Sequence, residues 1–431
     1  FCAGLALFFL SIAPAWSQAD PPAEPPEKEE EEEEGQENEP VMTERVVVSA
    51  SPATQSRLDA PAAVDVLDAE DLAVRPGDHF VDQLRRIPGI NVVQFSARDV
   101  NIASRSASGG INSSTLAIAD GRSLYQDFLG FVMWEFAPTD MDLVEQVEVV
   151  RGPASSLWGA NAVGGLVHIQ TKSPRDTLGG QARFEVGNYA SRRVDFRHSF
   201  LAGDWAVRGS GSLYQADPFD RPATIVNMWG EVWDPSFGQI TEDIRDSGTE
   251  QPRFDLRADR ETSKGTFILQ GGAAQTRGYI ATGLGPFDVD PSTGNAYVQA
   301  RWRNGPLEAH VEYNLFDGSG KNLINAIDFG FRSERTAASF TGKALLGDRV
   351  VLGYGADLSH TNYDLSIAPG ADVRNVAAVF GETDVRLNER WWLTTGARLD
   401  HFKETIGSVV SPRVALRFKP DPRNAVRIAW G

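Results

Sequence analysis

Residues 147–165 read VEVVRGPASSLWGANAVGG, and this stretch says more about the fold than any other. Residues 147–150 are mostly β-branched and predict a strand. Arg151-Gly152-Pro153 ends this strand, because proline cannot donate a hydrogen bond to a sheet. Gly159 and the pair Gly164-Gly165 permit positive φ and close backbone approach. We therefore expect a strand, a proline-broken turn and a glycine-rich return that packs tightly.

This stretch belongs to a segment of short alternating elements, residues 44–175. Asp68 has the position of a helix N-cap, and Pro88-Gly89 ends a second short helix that starts near Asp78. The pair Asp120-Gly121 predicts a turn. The pattern is typical of a small α+β domain. Its further strands are predicted at Ala63 to Leu67, Ile90 to Val93, Leu116 to Ala119 and Leu166 to Ile169.

The first nineteen residues predict a secretory signal peptide. Phe1 to Ile12 is apolar, and Ser17-Gln18-Ala19 fits a small-residue cleavage site, which we place before Asp20. The initiating methionine and basic start are absent, so we expect the signal to be truncated at its front. A buried helix is the alternative. The one cysteine, Cys2, lies inside this segment, so the mature chain offers no disulfide, thiol nucleophile or cysteine-bound metal.

Residues 20–43 predict an acidic, disordered linker, which would be periplasmic if the rest of the chain forms an outer-membrane protein. The chain carries a net charge of −18, and residues 20–44 hold twelve acidic residues against one lysine, Lys28. A charge run interrupted by prolines cannot bury a core. The acidity argues against a nucleic-acid partner. A metal site in the glutamate run is not expected, because nothing orders its carboxylates.

Residues 180–431 alternate between apolar and polar side chains with period two, which predicts strands with one apolar and one polar face. A soluble β-sandwich would give the same alternation, so the connections decide. Tight turns are predicted near Ala202-Gly203, Glu261 to Ser263, Asn304-Gly305, Gly347-Asp348, Asn388-Glu389 and Asp421 to Arg423. Long loops are predicted between them, near residues 215–252, 274–295, 317–331, 364–373 and 403–410. Short turns on one rim and long loops on the other are typical of an outer-membrane barrel.

Other features of the sequence agree with a barrel. No stretch after residue 20 is long and apolar enough for a membrane-spanning helix, so an embedded part would have to be a closed sheet. Tryptophans near the expected strand ends would form an interfacial girdle: Trp205, Trp302, Trp391, Trp392 and Trp430. About thirteen strand-like runs are present. Barrels that enclose a plug have roughly 22 strands, so we expect roughly nine more beyond this sequence.

Three motifs resemble the TonB-dependent receptors of Gram-negative outer membranes. They are Leu84-Arg85-Arg86-Ile87-Pro88-Gly89-Ile90, Ala119-Asp120-Gly121-Arg122-Ser123-Leu124-Tyr125 and residues 147–165. The resemblance implies an all-β, antiparallel transmembrane barrel with an N-terminal α+β plug inside it. We call residues 51–175 the plug and residues 180–431 the N-terminal part of the barrel. Ser106 and His168 depart from the family pattern, where glycine and asparagine are commoner, which leaves the local turn geometry open.

The resemblance also implies residues with roles in transport. A short β-branched segment after a flexible tether would be the TonB box, able to add as a strand to a partner's sheet; an ordinary first strand is the alternative. Arg105 and Arg151 match arginines that hold the plug against barrel carboxylates, with a simple surface ion pair as the alternative. Their glutamate partners are not identifiable. The TonB box consists of Glu44, Arg45, Val46, Val47, Val48, Ser49 and Ala50.

The family's function would be import, not catalysis, and no catalytic, phosphate-binding or metal-binding motif is present. The expected cargo is a small-molecule metal chelate, first a ferric siderophore, with cobalamin, haem and glycans as rivals. The expected partners are the inner-membrane TonB-ExbB-ExbD complex and outer-membrane lipid, around a monomeric barrel without cofactor. A signalling or adhesion receptor is less favoured, since no folded domain precedes residue 44. Expected ligand contacts are Tyr125, Phe128, Phe131, Trp134, Trp229 and Trp233, although plug packing would also explain the three between 128 and 134.

Overall fold

The computed structural model describes residues 46–47, 55–56, 58–74, 80–97, 99–104, 112–137, 140–219, 248–282, 285–323, 327–368, 370 and 372–431. The predicted signal peptide and acidic linker lie outside these residues. So do Arg105, Trp229, Trp233 and all of the predicted TonB box except Val46 and Val47.

The plug is built on a five-stranded mixed sheet, with short helices and two-stranded pieces around it. Strand β1, Val46–Val47, precedes the plug. The elements of the plug, in chain order, are β2 Gln55–Ser56, β3 Ala63–Asp68, α1 Ala69–Val74, α2 Phe80–Leu84, β4 Ile90–Gln94, β5 Val100–Ser104, β6 Thr115–Ala119, β7 Arg122–Ser123, β8 Tyr125–Gln126, β9 Phe131–Val132, β10 Val144–Arg151, α3 Ser155–Trp158 and β11 Gly165–Thr171. The sheet order is β3-β10-β11-β6-β7, in which only β11 and β6 run parallel.

The strand predicted at residues 147–150 is the centre of this sheet. It runs as β10 and pairs antiparallel with β3 on one side and β11 on the other. Val147, Leu166 and Ile169 are fully buried in the plug core, so the central strands are covered on both faces. Gly165 has φ +155°, and a Cβ there would meet the carbonyl oxygen of Val150 at 2.5 Å. The tight glycine-rich return is therefore confirmed.

The rest of the described chain is one antiparallel sheet of fifteen strands, which we call the barrel sheet. Thirteen strands pair with their neighbours in chain order, and the hairpin β17-β18 attaches to β20 from the side. The strands are β12 Gly179–Val186, β13 Arg192–Ala202, β14 Trp205–Ala216, β15 Thr249–Thr262, β16 Gly265–Gln275, β17 Gly278–Thr282, β18 Gly285–Val289, β19 Gly294–Asn304, β20 Leu307–Asn322, β21 Asp328–Leu346, β22 Val350–Leu365, β23 Val373–Arg386, β24 Trp391–Phe402, β25 Gly407–Asp421 and β26 Asn424–Trp430.

The alternation of tight turns and longer loops is confirmed, with corrections on the long-loop rim. On the tight-turn rim, four of the six connections contain two residues, from 203–204 to 422–423. The loop expected at 317–331 is wrong, since only residues 323–327 separate β20 from β21. The loop expected at 403–410 is also shorter than predicted, since β25 begins at Gly407 and only residues 403–406 connect it to β24. β21 alone has 19 residues, whereas about 9–11 suffice to cross a bilayer. The strands therefore continue past the membrane, into the stretch that was predicted to be a loop.

The two faces of the barrel sheet have the reverse polarity of a soluble protein. On β15, Phe254 and Leu256 are 51% and 48% exposed, whereas Arg257 and Asp259 are 7% and 4% exposed. The same arrangement recurs along the sheet, with Val298 and Val311 exposed and polar neighbours buried. A sandwich would bury the apolar face, so this alternative is excluded. Among the described helices, none is long and apolar enough to cross a membrane.

The buried polar face of the sheet curves around the plug. At one end of the sheet, Arg183 on β12 pairs with Asp142 of the plug. At the other end, Arg427 on β26 donates to the main-chain oxygens of Leu58 and Ala60, at 2.6 and 2.8 Å. Strands between these two, including β15, β16, β19, β23 and β24, also contact the plug. The plug thus lies on the concave side of the barrel sheet.

The outward apolar face predicts a depth-dependent cost of adding charge. Leu256→Arg, at the middle of β15, should destabilise the folded protein in lipid by roughly 2–4 kcal/mol. Leu345→Arg, next to the tight-turn rim, is the matched control and should cost at most about 1 kcal/mol. Guanidinium unfolding of the whole receptor in vesicles measures both. Equal costs at the two positions would show that this face does not contact lipid.

Candidate functional site

The interface between plug and barrel is organised around Asp120. Asp120 and Gly121 form the turn between β6 and β7, with φ of +48° and +87°. Positive φ at both central residues is the geometry of a type I′ hairpin turn, which Asp-Gly favours. The predicted Asp-Gly turn is therefore present. It directs the Asp120 carboxylate towards the barrel wall, where it is buried.

The Asp120 carboxylate connects the plug sheet to three barrel strands. The backbone N–H and hydroxyl of Thr171, at the end of β11, donate to it at 2.9 and 2.7 Å. Gln270 on β16 donates at 3.2 Å, and the guanidinium groups of Arg257 on β15 and Arg301 on β19 lie at 3.8 and 4.0 Å. Burial by itself raises the pKa of Asp120. The two arginine charges and the Thr171 hydrogen bonds outweigh burial and lower the pKa from 3.8 to about 2.

Arg257 extends this connection to the end of β11. Its Nη1 donates to the Thr171 main-chain oxygen at 2.9 Å, and its Nε pairs with Asp259 at 2.8 Å. Asp259 in turn accepts a hydrogen bond from the Ser173 hydroxyl at 2.9 Å. Side chains of strand β15 therefore contact both main-chain and side-chain atoms of the plug.

The expected pairing of Arg151 with a barrel carboxylate is corrected by the structure. Arg151 Nη2 lies 2.6 Å from Asp65 on the neighbouring plug strand β3, and its Nη1 donates to the Pro88 carbonyl oxygen. The reason is register, because position 151 pairs with position 63 in the sheet and so lies beside position 65. Arg105 lies outside the described residues.

Most charge pairs across the interface have the opposite polarity to the expected one. The plug supplies the carboxylate and the barrel supplies the cation: Asp59 with Lys419 at 2.7 Å, Asp127 with Arg374 at 2.9 Å, and Asp142 with Arg183. A sequence signal was available but missed. An arginine is followed two positions later by an aspartate at 193/195, 257/259 and 398/400, and each pair faces the plug side of the sheet.

Two of the expected ligand-binding aromatics belong to the plug core, which corrects that expectation. Trp134 is 2% exposed and Tyr125 is 8% exposed, and both pack with the central sheet. The Tyr125 hydroxyl donates to the Ser113 main-chain oxygen at 3.2 Å, and burial, with the charge of Asp127, raises the pKa of Tyr125 to about 12. Neither side chain is accessible to a ligand in this conformation.

Phe128 and Phe131 pack the plug against the barrel wall. The Phe128 ring centroid lies 5.4 Å from that of Phe331 and 6.0 Å from that of Phe316. Phe131 packs in the same cluster, together with Ile280 of the β17-β18 hairpin. The structure therefore shows the alternative expectation for these two residues, which is packing and not ligand contact. The cluster joins the plug to a loop of the long-loop rim.

The described part of the predicted TonB box is a short paired strand. Val46–Val47 pairs antiparallel with Gln55–Ser56. Within the described ranges, no group of three or more histidine, cysteine, aspartate or glutamate side chains could hold a metal ion.

The contacts of Asp120 predict that removing its negative charge lowers the stability of the folded protein. Asp120→Asn would leave Arg257 and Arg301 without their shared buried counter-charge, so the free energy of unfolding should fall by roughly 3 kcal/mol or more. Asp204→Asn is the control, since its pair with Arg260 is largely exposed and should matter little. Because the folded-state pKa of Asp120 is depressed, its contribution is complete above pH 3.8 and disappears as pH falls through about 2. An Asp120→Asn protein as stable as the wild type at pH 7 would contradict this account.

Comparison with known proteins agrees with this geometry. The sequence profile described as TonB-dependent Receptor Plug Domain matches residues 56–166. The profile described as TonB dependent receptor-like, beta-barrel matches residues 187–431, more than half of the chain.

Individual relatives match over most of this chain. The iron-regulated outer membrane virulence protein of Vibrio cholerae is 26% identical over 410 residues, 88% of this chain and 58% of the relative. The vitamin B12 transporter BtuB of Vibrio vulnificus is 25% identical over 400 residues, 90% of this chain and 62% of the relative. A ferric enterobactin receptor (PfeA) mutant structure from Pseudomonas aeruginosa has TM-score 0.63 and 20% identity over 89% of this chain and 62% of that one.

The chain spans about three fifths of the length of these relatives. The matching profiles and relatives belong to a family of transport receptors and not of enzymes. Together with the inverted sheet and the plug on its concave face, they show that this chain belongs to the family of TonB-dependent receptors.

Proposed function

We propose that this protein imports a scarce, bulky ligand through the outer membrane, with a ferric siderophore as the first candidate. The observation that carries the proposal is the chemistry of the plug–barrel interface. It is held by hydrogen bonds and ion pairs, from Asp142–Arg183 to Asp59–Lys419, and not by a continuous apolar core. Polar contacts can be exchanged for water at modest net cost. A plug held in this way can shift without exposing a large apolar surface.

The choice of a siderophore rests on the relatives. One is named as iron-regulated, and one solved neighbour is a ferric enterobactin receptor. A vitamin B12 transporter matches over as much of the chain, so cobalamin is the second candidate.

The energy source in this proposal is the TonB-ExbB-ExbD complex, engaged through residues 44–50. Val46 and Val47 take an extended, strand-pairing backbone in the structure. The same backbone can pair with a sheet edge of a partner. The weak pairing of two residues with two is easily exchanged for a longer partner strand.

Ligand contact is proposed for the long-loop rim. Because Tyr125 and Trp134 are buried in the plug core, Trp229 and Trp233 remain as the aromatic candidates. They belong to the longest connection of that rim, between β14 and β15. Arg105 remains a candidate for holding the plug.

The TonB box proposal predicts uptake loss without binding loss. Deleting Val46 to Ser49 should abolish uptake of a radiolabelled ferric siderophore and leave binding to whole cells unchanged. Deleting Glu29 to Glu32, four residues of the acidic linker, is the matched control and should preserve uptake. Normal uptake after the first deletion would show that the box lies elsewhere.

The ligand-contact proposal predicts that substitutions on the long-loop rim weaken ligand binding and that substitutions elsewhere do not. Replacing Trp229 and Trp233 together with alanine should weaken ligand binding about tenfold or more, as expected when aromatic contacts near the centre of a binding site are removed. Trp391→Ala, beside the tight-turn rim, should leave affinity unchanged. Affinity should be measured on intact cells at matched surface expression. Unchanged affinity in the double variant would exclude these two residues as ligand contacts.

A further inference from the structure

We infer that the plug–barrel interface contains a binding site for one oxyanion group, a carboxylate or a phosphate. Three arginines form it: Arg122 of the plug, Arg208 on β14 and Arg253 on β15. This inference rests on the proposed function in one respect only, that the oxyanion belongs to the imported cargo.

The three arginines line one cavity of about 60 Å³. Its plug side includes Asp120, Phe136 and Asp140, and its barrel side is formed by β14, β15, β16 and β19. A water needs about 10–15 Å³ of such space. The cavity therefore has room for a few waters or for one small oxyanion group.

The hydrogen bonds of these arginines go to neutral oxygens. Arg208 Nη1 donates to the Lys172 main-chain oxygen at 2.6 Å, and Arg253 donates to the Ala137 main-chain oxygen. Arg122 Nη1 donates to the Asn314 side-chain oxygen at 3.2 Å, and its guanidinium lies 3.9 Å from the ring centroid of Tyr297. Among the described residues, none of the three arginines lies within 4.0 Å of a carboxylate oxygen. Each guanidinium carries five N–H donors, so each has donors beyond these bonds.

Three aspartates, Asp120, Asp140 and Asp255, line the same cavity. Asp120 lies within 4.0 Å of two further arginines, Arg257 and Arg301, and so shares its charge with them. Asp255 accepts a hydrogen bond from the Tyr297 hydroxyl at 2.6 Å. Asp140 accepts from the Asp142 backbone, and burial, together with the charge of Asp195, raises its pKa. Asp140 and Asp255 are thus left to balance the three arginines of the lining.

Other arginines on the same face of the barrel sheet have a directly paired aspartate. Arg193, Arg257 and Arg398 each pair with an aspartate two positions later, at 2.8 to 2.9 Å. Arg208 has Ser210 at that position. At Arg253 the position holds Asp255, whose carboxylate turns to Tyr297. The sheet thus pairs an aspartate directly with each of the three arginines, whereas Arg208 has no aspartate at that position and Asp255 is not paired with Arg253 within 4.0 Å.

The physical consequence is attraction for an anion. Like charges repel more strongly where protein replaces water, and Arg122 and Arg253 line the same cavity. The guanidinium fork suits carboxylate and phosphate oxygens. An oxyanion in the cavity would relieve the repulsion and use the remaining donors. A cargo that carries such a group would meet this site between the plug and the wall.

The test measures anion binding directly, without cargo or TonB. The purified full receptor in detergent is titrated with inorganic phosphate and, separately, with acetate, and NMR line broadening of each anion gives the dissociation constant. Arg208→Gln and Arg253→Gln should weaken binding at least tenfold, whereas Arg253→Lys should keep most of it. Arg260→Gln, an exposed arginine on the same strand as Arg253, is the control and should bind as the wild type does. The tighter of the two anions identifies the oxyanion class.

Two results would overturn the site. One is no saturable binding of either anion to the wild type, which would leave a cavity that holds water only. The other is equal binding by wild type and Arg253→Gln. If Arg253→Gln loses the heat-modifiable gel band of a folded barrel, the same anion titration is made on Arg122→Gln, which changes the plug and not the barrel. Because uptake is not measured, failure here leaves the import proposal intact, and failure of the TonB box deletion leaves this site intact.

Discussion

The structure depends on one constraint, that backbone N–H and C=O groups in lipid need partners within the protein. A continuous antiparallel sheet meets this constraint and presents its apolar side chains outward, as Phe254 and Leu256 show. The inward face is then polar by alternation. A sheet of this width encloses a space that its own side chains do not fill, so a second domain fills it. That domain must offer polar groups to a polar wall.

The plug–barrel interface follows from this requirement. Charged wall residues cannot be buried without partners, and the structure supplies them either within the wall, as at Arg257–Asp259, or from the plug, as at Asp120. The plug uses turns and chain ends for this purpose, because its sheet is occupied by its own apolar core. The interface is consequently strong in sum but built from separate polar contacts. The aromatic cluster around Phe128 and Phe316 is the apolar exception, and it lies towards the long-loop rim.

Most of the fold could be predicted from the sequence, because it depends on local rules. Period-two alternation, the turn at Asp120-Gly121 and the glycine at 165 all reflect backbone geometry that neighbouring residues determine. The loop predicted at 317–331 was wrong, because glycines in this stretch lie within strands β20 and β21. The site was less predictable. The burial of Trp134 and the pairing of Arg151 with Asp65 depend on tertiary register, which a single sequence does not reveal. The arginine–aspartate pairs two positions apart were visible in the sequence and would have indicated the polar wall.

The central claim is that charge pairing across the interface holds the plug to the barrel, and a double-mutant cycle tests it most directly. Asp120 and Arg301 are suited to the cycle, since their carboxylate and guanidinium atoms lie 4.0 Å apart on opposite sides of the interface. Free energies of unfolding would be measured for Asp120→Asn, Arg301→Gln and the double variant of the whole receptor. The account predicts a favourable coupling of about 1 kcal/mol or more, within the range for residues that share a network. Additive effects, within about 0.5 kcal/mol, would contradict it.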